Sequence, residues 1–161
     1  MKRVDIGALV FAMFIPLLIG AASVAISARG MDAYENMNKP PLSPPAWVFS
    51  VAWTILYVIM GLASYFIYVS GANKIDKSMA LTLYAIQLAM NFMWSIIFFV
   101  WGTYLLAFIW LFMMWWIVLV CAFRFFAINK TAAYLLIPYI LWLSFAAYLN
   151  LGSYVVNLKI E

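Results

Sequence analysis

Five runs of apolar residues, each roughly 20 residues long or more, leave this chain few folds to choose from, because a helix of that length matches the hydrocarbon core of a bilayer. Inside hydrocarbon every backbone N–H and C=O must find its partner within the protein, and a helix satisfies its own. The runs cover 6–27, 44–69, 79–101, 104–128 and 131–156. They predict an all-α membrane protein, a bundle of five transmembrane helices, with a single domain over 1–161 and a long loop between the first two helices. Composition agrees. The chain is 70% hydrophobic and 9% charged, against about 45–50% apolar and about 25% charged in soluble domains. Lys2 and Arg3 ahead of an apolar run also open a secretory signal. The run exceeds the usual apolar stretch of about 7–15 residues, so it reads as a retained first helix.

The connections carry the local signals. Residues 28–42 form the longest, with Arg29, Asp32, Glu35 and Lys39, a length that suits a lid as well as a floppy connector. Ser43 reads as an N-cap with Pro44 and Pro45 in the first turn of the second span, and Ser78 as a cap for the third. Gly102 and Thr103 make the tightest connection, so spans three and four should form an antiparallel hairpin. Pro16 predicts a kink in the first span, and Pro138 a bend in the fifth shortly before Trp142.

Charge orients the bundle and removes several functions. Lys2, Arg3, Lys74, Lys77, Arg124 and Lys130 fall on the N-terminal face, against Arg29, Lys39 and Lys159 on the other. The positive-inside rule then places the N-terminus in the cytoplasm and the C-terminus outside, in a cell membrane of bacterial type. The basic residues are scattered at segment ends and form no stripe, which argues against nucleic acid. The spans hold no Asp, Glu or Lys, and their one Arg, Arg124, lies near a helix end where it can snorkel. Ion-coupled transport lacks the buried charge it normally uses, and no repeat points to a secondary transporter. With no His and Cys121 as the only cysteine, a His-based or Cys-cluster metal site is excluded. A haem iron would be left with Met, Tyr or Cys121, so the ring of any bound tetrapyrrole matters more than its metal.

The span interiors carry amide and aromatic side chains instead. Gln87 and Asn91 are four residues apart on one face of span three, with Trp94 and Ser95 beside them. Each amide serves either a ligand or an interhelical hydrogen bond. Trp53 and Tyr57 repeat the spacing on span two, and Trp142, Ala146 and Asn150 on span five, so each helix can turn an aromatic face inward. A flat apolar ring stacks on indole and needs only one or two polar partners at its edge, which makes such faces candidate ligand walls. Trp47, Trp101, Trp110, Trp115 and Trp116 read as interfacial or packing residues.

The stretch Lys39-Pro40-Pro41-Leu42-Ser43-Pro44-Pro45-Ala46-Trp47, followed by Trp53-Thr54-Ile55-Leu56-Tyr57 and Met60-Gly61, closely resembles the tryptophan-rich sensory protein and translocator protein family. Further matches are Asn91-Phe92-Met93-Trp94-Ser95, Pro138-Tyr139, Trp142, Phe145-Ala146 and Leu149-Asn150. The resemblance implies a five-helix bundle, commonly a homodimer, with a pocket under the first loop for porphyrins, some steroids and benzodiazepine-site ligands. By position Trp53, Asn91, Trp142 and Ala146 match residues of that pocket, with Tyr34 and Tyr57 as neighbours. Some bacterial members are proposed to degrade protoporphyrin in light, with the tryptophans matching Trp53 and Trp142 as reactive partners. The chain departs from the pattern at Val51, where members often have proline. Leu151, Tyr154 and Lys159 fit only loosely the cholesterol motif of the animal proteins.

The expected function is therefore a membrane receptor that binds protoporphyrin-type rings and related flat apolar ligands within the bundle and requires no cofactor. Light- and oxygen-dependent porphyrin breakdown is the enzymatic alternative, and porphyrin or lipid transport the third. The expected ligand wall is Tyr34, Trp53, Tyr57, Gln87, Asn91, Trp94, Trp142, Phe145 and Ala146, with Trp53 and Trp142 as the candidate reactive pair.

Overall fold

A computed structural model describes residues 4–158, except for the side chains of residues 29, 31–33 and 35. Lys2, Arg3 and Lys159, which entered the charge and motif readings, lie outside the described residues, as do the side chains of Arg29, Asp32 and Glu35. The helices are α1 (Ile6–Asn36), α2 (Ala46–Tyr68), α3 (Lys74–Ser95), α4 (Tyr104–Ile128), α5 (Lys130–Leu135) and α6 (Ile137–Asn157). A π turn, Ile96–Val100, extends α3, and α5 with α6 forms the fifth span. Among the described residues, five stretches of 23–28 residues are long and apolar enough to cross a membrane, which bears out the five-helix bundle.

Packing sets the order around the bundle. α1 lies on α2, α2 on α5, α6 on α4, α4 on α3, and α3 with its π turn returns to α1. The five spans thus close a ring. Met60, Leu111, Met114, Phe125, Tyr139 and Leu143 fill its centre, while Phe11, Phe14, Phe123 and Leu141 point outward. In water that outward set would be a liability; in a bilayer it meets lipid. Indole N–H groups tie neighbouring spans together, Trp110 of α4 to the Met90 carbonyl of α3 at 2.9 Å and Trp115 of α4 to the Ser144 hydroxyl of α6 at 3.0 Å.

Four local expectations are corrected, the last of them at Pro138. The long loop over 28–42 shrinks, because α1 continues to Asn36 and leaves only 37–45 as the connection. Tertiary packing holds this extension: Gly30 sits against the Phe99 carbonyl, and Tyr34 is buried among Phe49, Phe98 and Phe99 at ring separations of 5.7, 6.1 and 6.0 Å. Ser43 does not cap α2; its hydroxyl donates to the Pro40 carbonyl and the helix opens after Pro45 without a side-chain cap. Nor does Ser78 cap α3, since Asn73 accepts from the Asp76 N–H at 2.8 Å and starts the helix earlier, at Lys74.

Pro138 acts at a break rather than a bend. Having no N–H, it cannot continue the ladder from α5, and the chain restarts at Ile137 with the proline in the first turn of α6. Gly102, at φ +64°, turns the tight connection after the π turn. The remaining connection is fastened to α6: Tyr148 donates to the Pro41 carbonyl, Asn157 to that of Asn38, and Gly152 leaves room for the Pro40 ring.

Candidate functional site

A buried chain of polar side chains crosses the bundle. Asn91 and Gln87, one turn apart on α3, are almost wholly enclosed, as is Tyr139 on α6. The Tyr57 hydroxyl donates to Asn91 Oδ1 at 2.6 Å, Asn91 Nδ2 donates to the Tyr139 hydroxyl at 3.3 Å, and Tyr139 donates to Gln87 Oε1 at 2.9 Å. The Gln87 amide ends the chain against the Met60 sulfur at 3.7 Å. Each member's demand is met by the next, so the four residues lock α2, α3 and α6 in register. The two amides serve the fold directly.

An aromatic wall stands in front of this chain. Trp53 stacks on Tyr57 at 5.6 Å and 29°, lies 6.1 Å from Trp94, and receives the edge of Trp142 at 6.4 Å and 86°. Trp94 is itself fixed by its N–H bond to Asn150 Oδ1 at 3.2 Å and by stacking on Phe98. Rigid indoles held on several sides keep one face free without collapsing onto it.

A cavity of about 490 Å³ opens before that face, between α1 and α2 and backed by α3, within the range of roughly 300–1,000 Å³ usual for small-molecule sites. Trp53, Tyr57, Trp94, Phe49 and Phe99 line it on one side, and Gly20, Ser23 and Ser27 of α1 on the other. Ala21, Ser50 and Thr54 are at its rim, giving a sideways mouth between α1 and α2. Its surface is overwhelmingly apolar. Among its polar groups, the Ser23 hydroxyl lies beside that of Tyr57, and the Ser27 hydroxyl is buried without a hydrogen-bond partner. Tyr57 has given its proton to Asn91, and leaving a buried hydroxyl unpaired costs about 1–3 kcal/mol.

The nine expected wall residues divide. Trp53, Tyr57 and Trp94 line the cavity; Asn91 and Gln87 stand behind it, holding Tyr57 and Tyr139. Tyr34 backs Phe49 and Phe99 from outside, with the Lys39 ammonium 4.9 Å from its ring centre. Burial raises its phenol above the ordinary value, partly offset by the Ser43 hydroxyl. Trp142 and Phe145 line a separate, open groove of about 420 Å³ between α2 and α6 with Ile55, Ile59 and Leu141, and Ala146 is buried, its carbonyl taken by the Asn150 amide. The sequence reading missed the α1 wall. Its signal was present: Gly20, Ser23 and Ser27 fall at helical spacings on one face of an otherwise apolar span.

Residues 11–155 match the model of the TspO/MBR family. The chain is 33% identical over 150 residues to the tryptophan-rich sensory protein of Cereibacter sphaeroides, spanning 91% of this chain and 92% of that one. It is 36% identical over 117 residues to the tryptophan-rich protein TspO of Chlorobaculum tepidum, 73% and 74% of the two chains. With the translocator protein of Ovis aries it shares 37% identity over 127 residues, 78% and 75% of the two.

Proposed function

The chain belongs to the TspO/MBR family of membrane proteins, and from that premise we propose that it is a receptor for porphyrins and related flat apolar ligands, bound in the cavity between α1 and α2. The observation that carries this reading is the pairing of the Trp53 indole with two buried hydroxyls, Ser27 without a partner and Ser23 beside Tyr57, across one apolar space. A tetrapyrrole offers a broad face to stack and a polar edge of ring nitrogens and carboxylates. The face goes to Trp53 and the edge to the serines, while Asn91 positions Tyr57 rather than the ligand. The sideways mouth admits the ring from the bilayer. The chain has no imidazole to bind an iron, so recognition rests on the ring. The same reading includes a homodimer with its N-terminus cytoplasmic.

Titration of protoporphyrin into purified protein in the dark, followed by tryptophan quenching, tests it. Saturable binding weakened about tenfold in the Ser23→Ala, Ser27→Ala double variant is expected, two hydrogen bonds at about 0.5–1.5 kcal/mol each. Wild-type affinity in that variant, or no saturable binding at all, overturns the assignment.

A second reading, light-dependent breakdown of the bound ring, draws on the contact of Trp53 with Trp142 at 6.4 Å. The first indole touches the cavity and the second backs it, so a charge formed on Trp53 could be passed away from the ring. Illuminating the complex separates the two. Protein-dependent new absorbance bands favour the enzyme, and a spectrum as stable as the protein-free control favours the receptor.

A further inference from the structure

Arg124 stands in the last turn of α4, four residues before Ile128, about 6 Å of helix from its end at the N-terminal face. It is exposed on the outward side. Val120 and Phe123 precede it there, 43% and 73% exposed, and Ala127 follows, exposed as well, so the surface around it is apolar and meets the bilayer. A helix tilts each Cα–Cβ bond toward its own N-terminus, here away from the near membrane face. Snorkelling recovers some of that distance but supplies no acceptor. A guanidinium carries several N–H donors and keeps its charge at any working pH, so it must be met by an acceptor from outside if the protein offers none. Among the described residues Arg124 has no hydrogen bond and no carboxylate within ion-pair distance. The described carboxylates of this face are spent at helix starts: Asp5 accepts the Ala8 N–H at 3.0 Å, and Asp76 accepts the Asn73 amide at 2.6 Å.

We infer that Arg124 holds the phosphate of an anionic phospholipid, of the phosphatidylglycerol class, in the leaflet at the N-terminal face. A phosphodiester presents two charged oxygens to the parallel N–H groups of a guanidinium, whereas an acyl ester carbonyl presents one neutral oxygen. The chains of such a lipid would run inward along Phe123 and Val120, which cover the turn beneath Arg124. Its head group is selected by the charges around it. Asn129 alone separates α4 from α5, and the Lys130 ammonium lies 5.6 Å from the centre of the Phe126 ring, which keeps a second cation beside the last turn of α4. The Phe126 ring is itself backed by Tyr134 at 6.1 Å. A choline or ethanolamine head would bring its ammonium among these cations with no free carboxylate to receive it; a glycerol head brings no charge of its own. A soluble phosphate ion would have to leave water for a spot flanked by Phe123 and Val120, a depth that a lipid phosphate reaches with its chains already buried. The site lies on the outside of the bundle, apart from the cavity between α1 and α2, and stands whether or not a porphyrin binds there.

The test compares phosphatidylglycerol and phosphatidylcholine carrying the same photoactivatable acyl chain, each added as a trace to the protein in nanodiscs made from an equal mixture of the two unlabelled lipids, with labelled residues mapped by mass spectrometry. Phosphatidylglycerol should label Val120 and Phe123 about fivefold more than phosphatidylcholine, the share of a charge-assisted hydrogen bond that survives at a partly wetted site. The two lipids should label Phe14, outward on α1, equally. Arg124→Gln should bring the ratio at Phe123 down to about one, and Arg124→Lys should keep part of it, because an ammonium retains the charge without the paired N–H geometry. Arg124 has no partner among the described residues, so neither variant should lower the unfolding midpoint or change the dark porphyrin titration. A wild-type ratio of about one, a ratio unchanged in Arg124→Gln, or a preference abolished by inorganic phosphate at constant ionic strength overturns the proposal.

Discussion

Replacing Gly20 by alanine should destabilise the protein, although the same change in an ordinary helix interior stabilises it by roughly 0.5–1 kcal/mol. A Cβ on Gly20 would lie 2.6 Å from Cδ2 of Tyr57 and closer still to Cε2, well inside contact distance. The ring has little room to retreat: its hydroxyl is held by Asn91 at 2.6 Å, and its other side stacks on Trp53. If α1 moves off, the overpacking cost is about 1–3 kcal/mol. If Tyr57 turns instead, Asn91 loses its donor, at about 1–3 kcal/mol. Set against the propensity gain of roughly 0.5–1 kcal/mol, either route leaves a net loss of up to about 2.5 kcal/mol. The assay is equilibrium unfolding in mixed micelles of rising dodecyl sulfate content, read by tryptophan fluorescence. In a Tyr57→Leu background, where the ring is gone, Gly20→Ala should turn neutral or stabilising, a coupling of about 1–3 kcal/mol. A stabilised Gly20→Ala protein, or the same destabilisation in the Tyr57→Leu background, would refute the argument.

Three more expectations follow from individual contacts. Asn91→Ala strips Tyr57 of its acceptor and Tyr139 of a donor in the buried centre, and should cost about 2–4 kcal/mol in the same unfolding assay. Trp142→Phe removes an indole N–H that is buried without a partner, so it should change stability by less than about 1 kcal/mol and dark porphyrin affinity by less than about twofold, whereas Trp53→Phe should weaken binding by about fivefold or more. Leu42 is 81% exposed at φ +65°, a conformation that L side chains reach at about 1–2 kcal/mol, so Leu42→Gly should raise the unfolding midpoint slightly while Leu42→Val lowers it.

The spans were legible because hydrocarbon imposes one dominant requirement, and residues such as Phe14, Phe123 and Leu141 state it by being apolar where they face outward. Helix ends were less legible. Ser43 carries a cap's side chain but spends it on Pro40, and Asn73 outcompetes Ser78 by starting α3 earlier. The extension of α1 to Asn36 could not be read locally, since it depends on the Gly30 contact with Phe99 and on the Phe49, Phe98 and Phe99 rings around Tyr34, which come from distant segments. Within the site, four-residue spacing correctly turned Trp53 and Tyr57 inward together. It could not divide inward residues into cavity wall and structural lock, because Asn91 and Trp94 share a face of α3 and only partners separate them.

Partners also explain where this membrane protein can accept a ligand. A bilayer core offers no water to an unpaired polar atom, so a buried one must either be satisfied inside the protein or wait for something to satisfy it. Among the described residues, the buried Ser27 hydroxyl and Trp142 indole N–H have no partner, whereas the hydroxyls of Ser23 and Tyr84 have those of Tyr57 and Ser64 beside them. Random packing defects would scatter such atoms through the interior, and the Tyr57, Asn91, Tyr139 and Gln87 chain shows that this interior can pair its polar groups completely. Instead, both orphans lie on the wall of a cavity or groove: Ser27 in the space before Trp53, and Trp142 in the opening between α2 and α6. If those spaces were merely unfilled, deleting each orphan group would stabilise the protein in every environment. If they are ligand sites, deletion should stabilise the empty protein and destabilise it once the fitting ligand is added, because only the bound state uses the group.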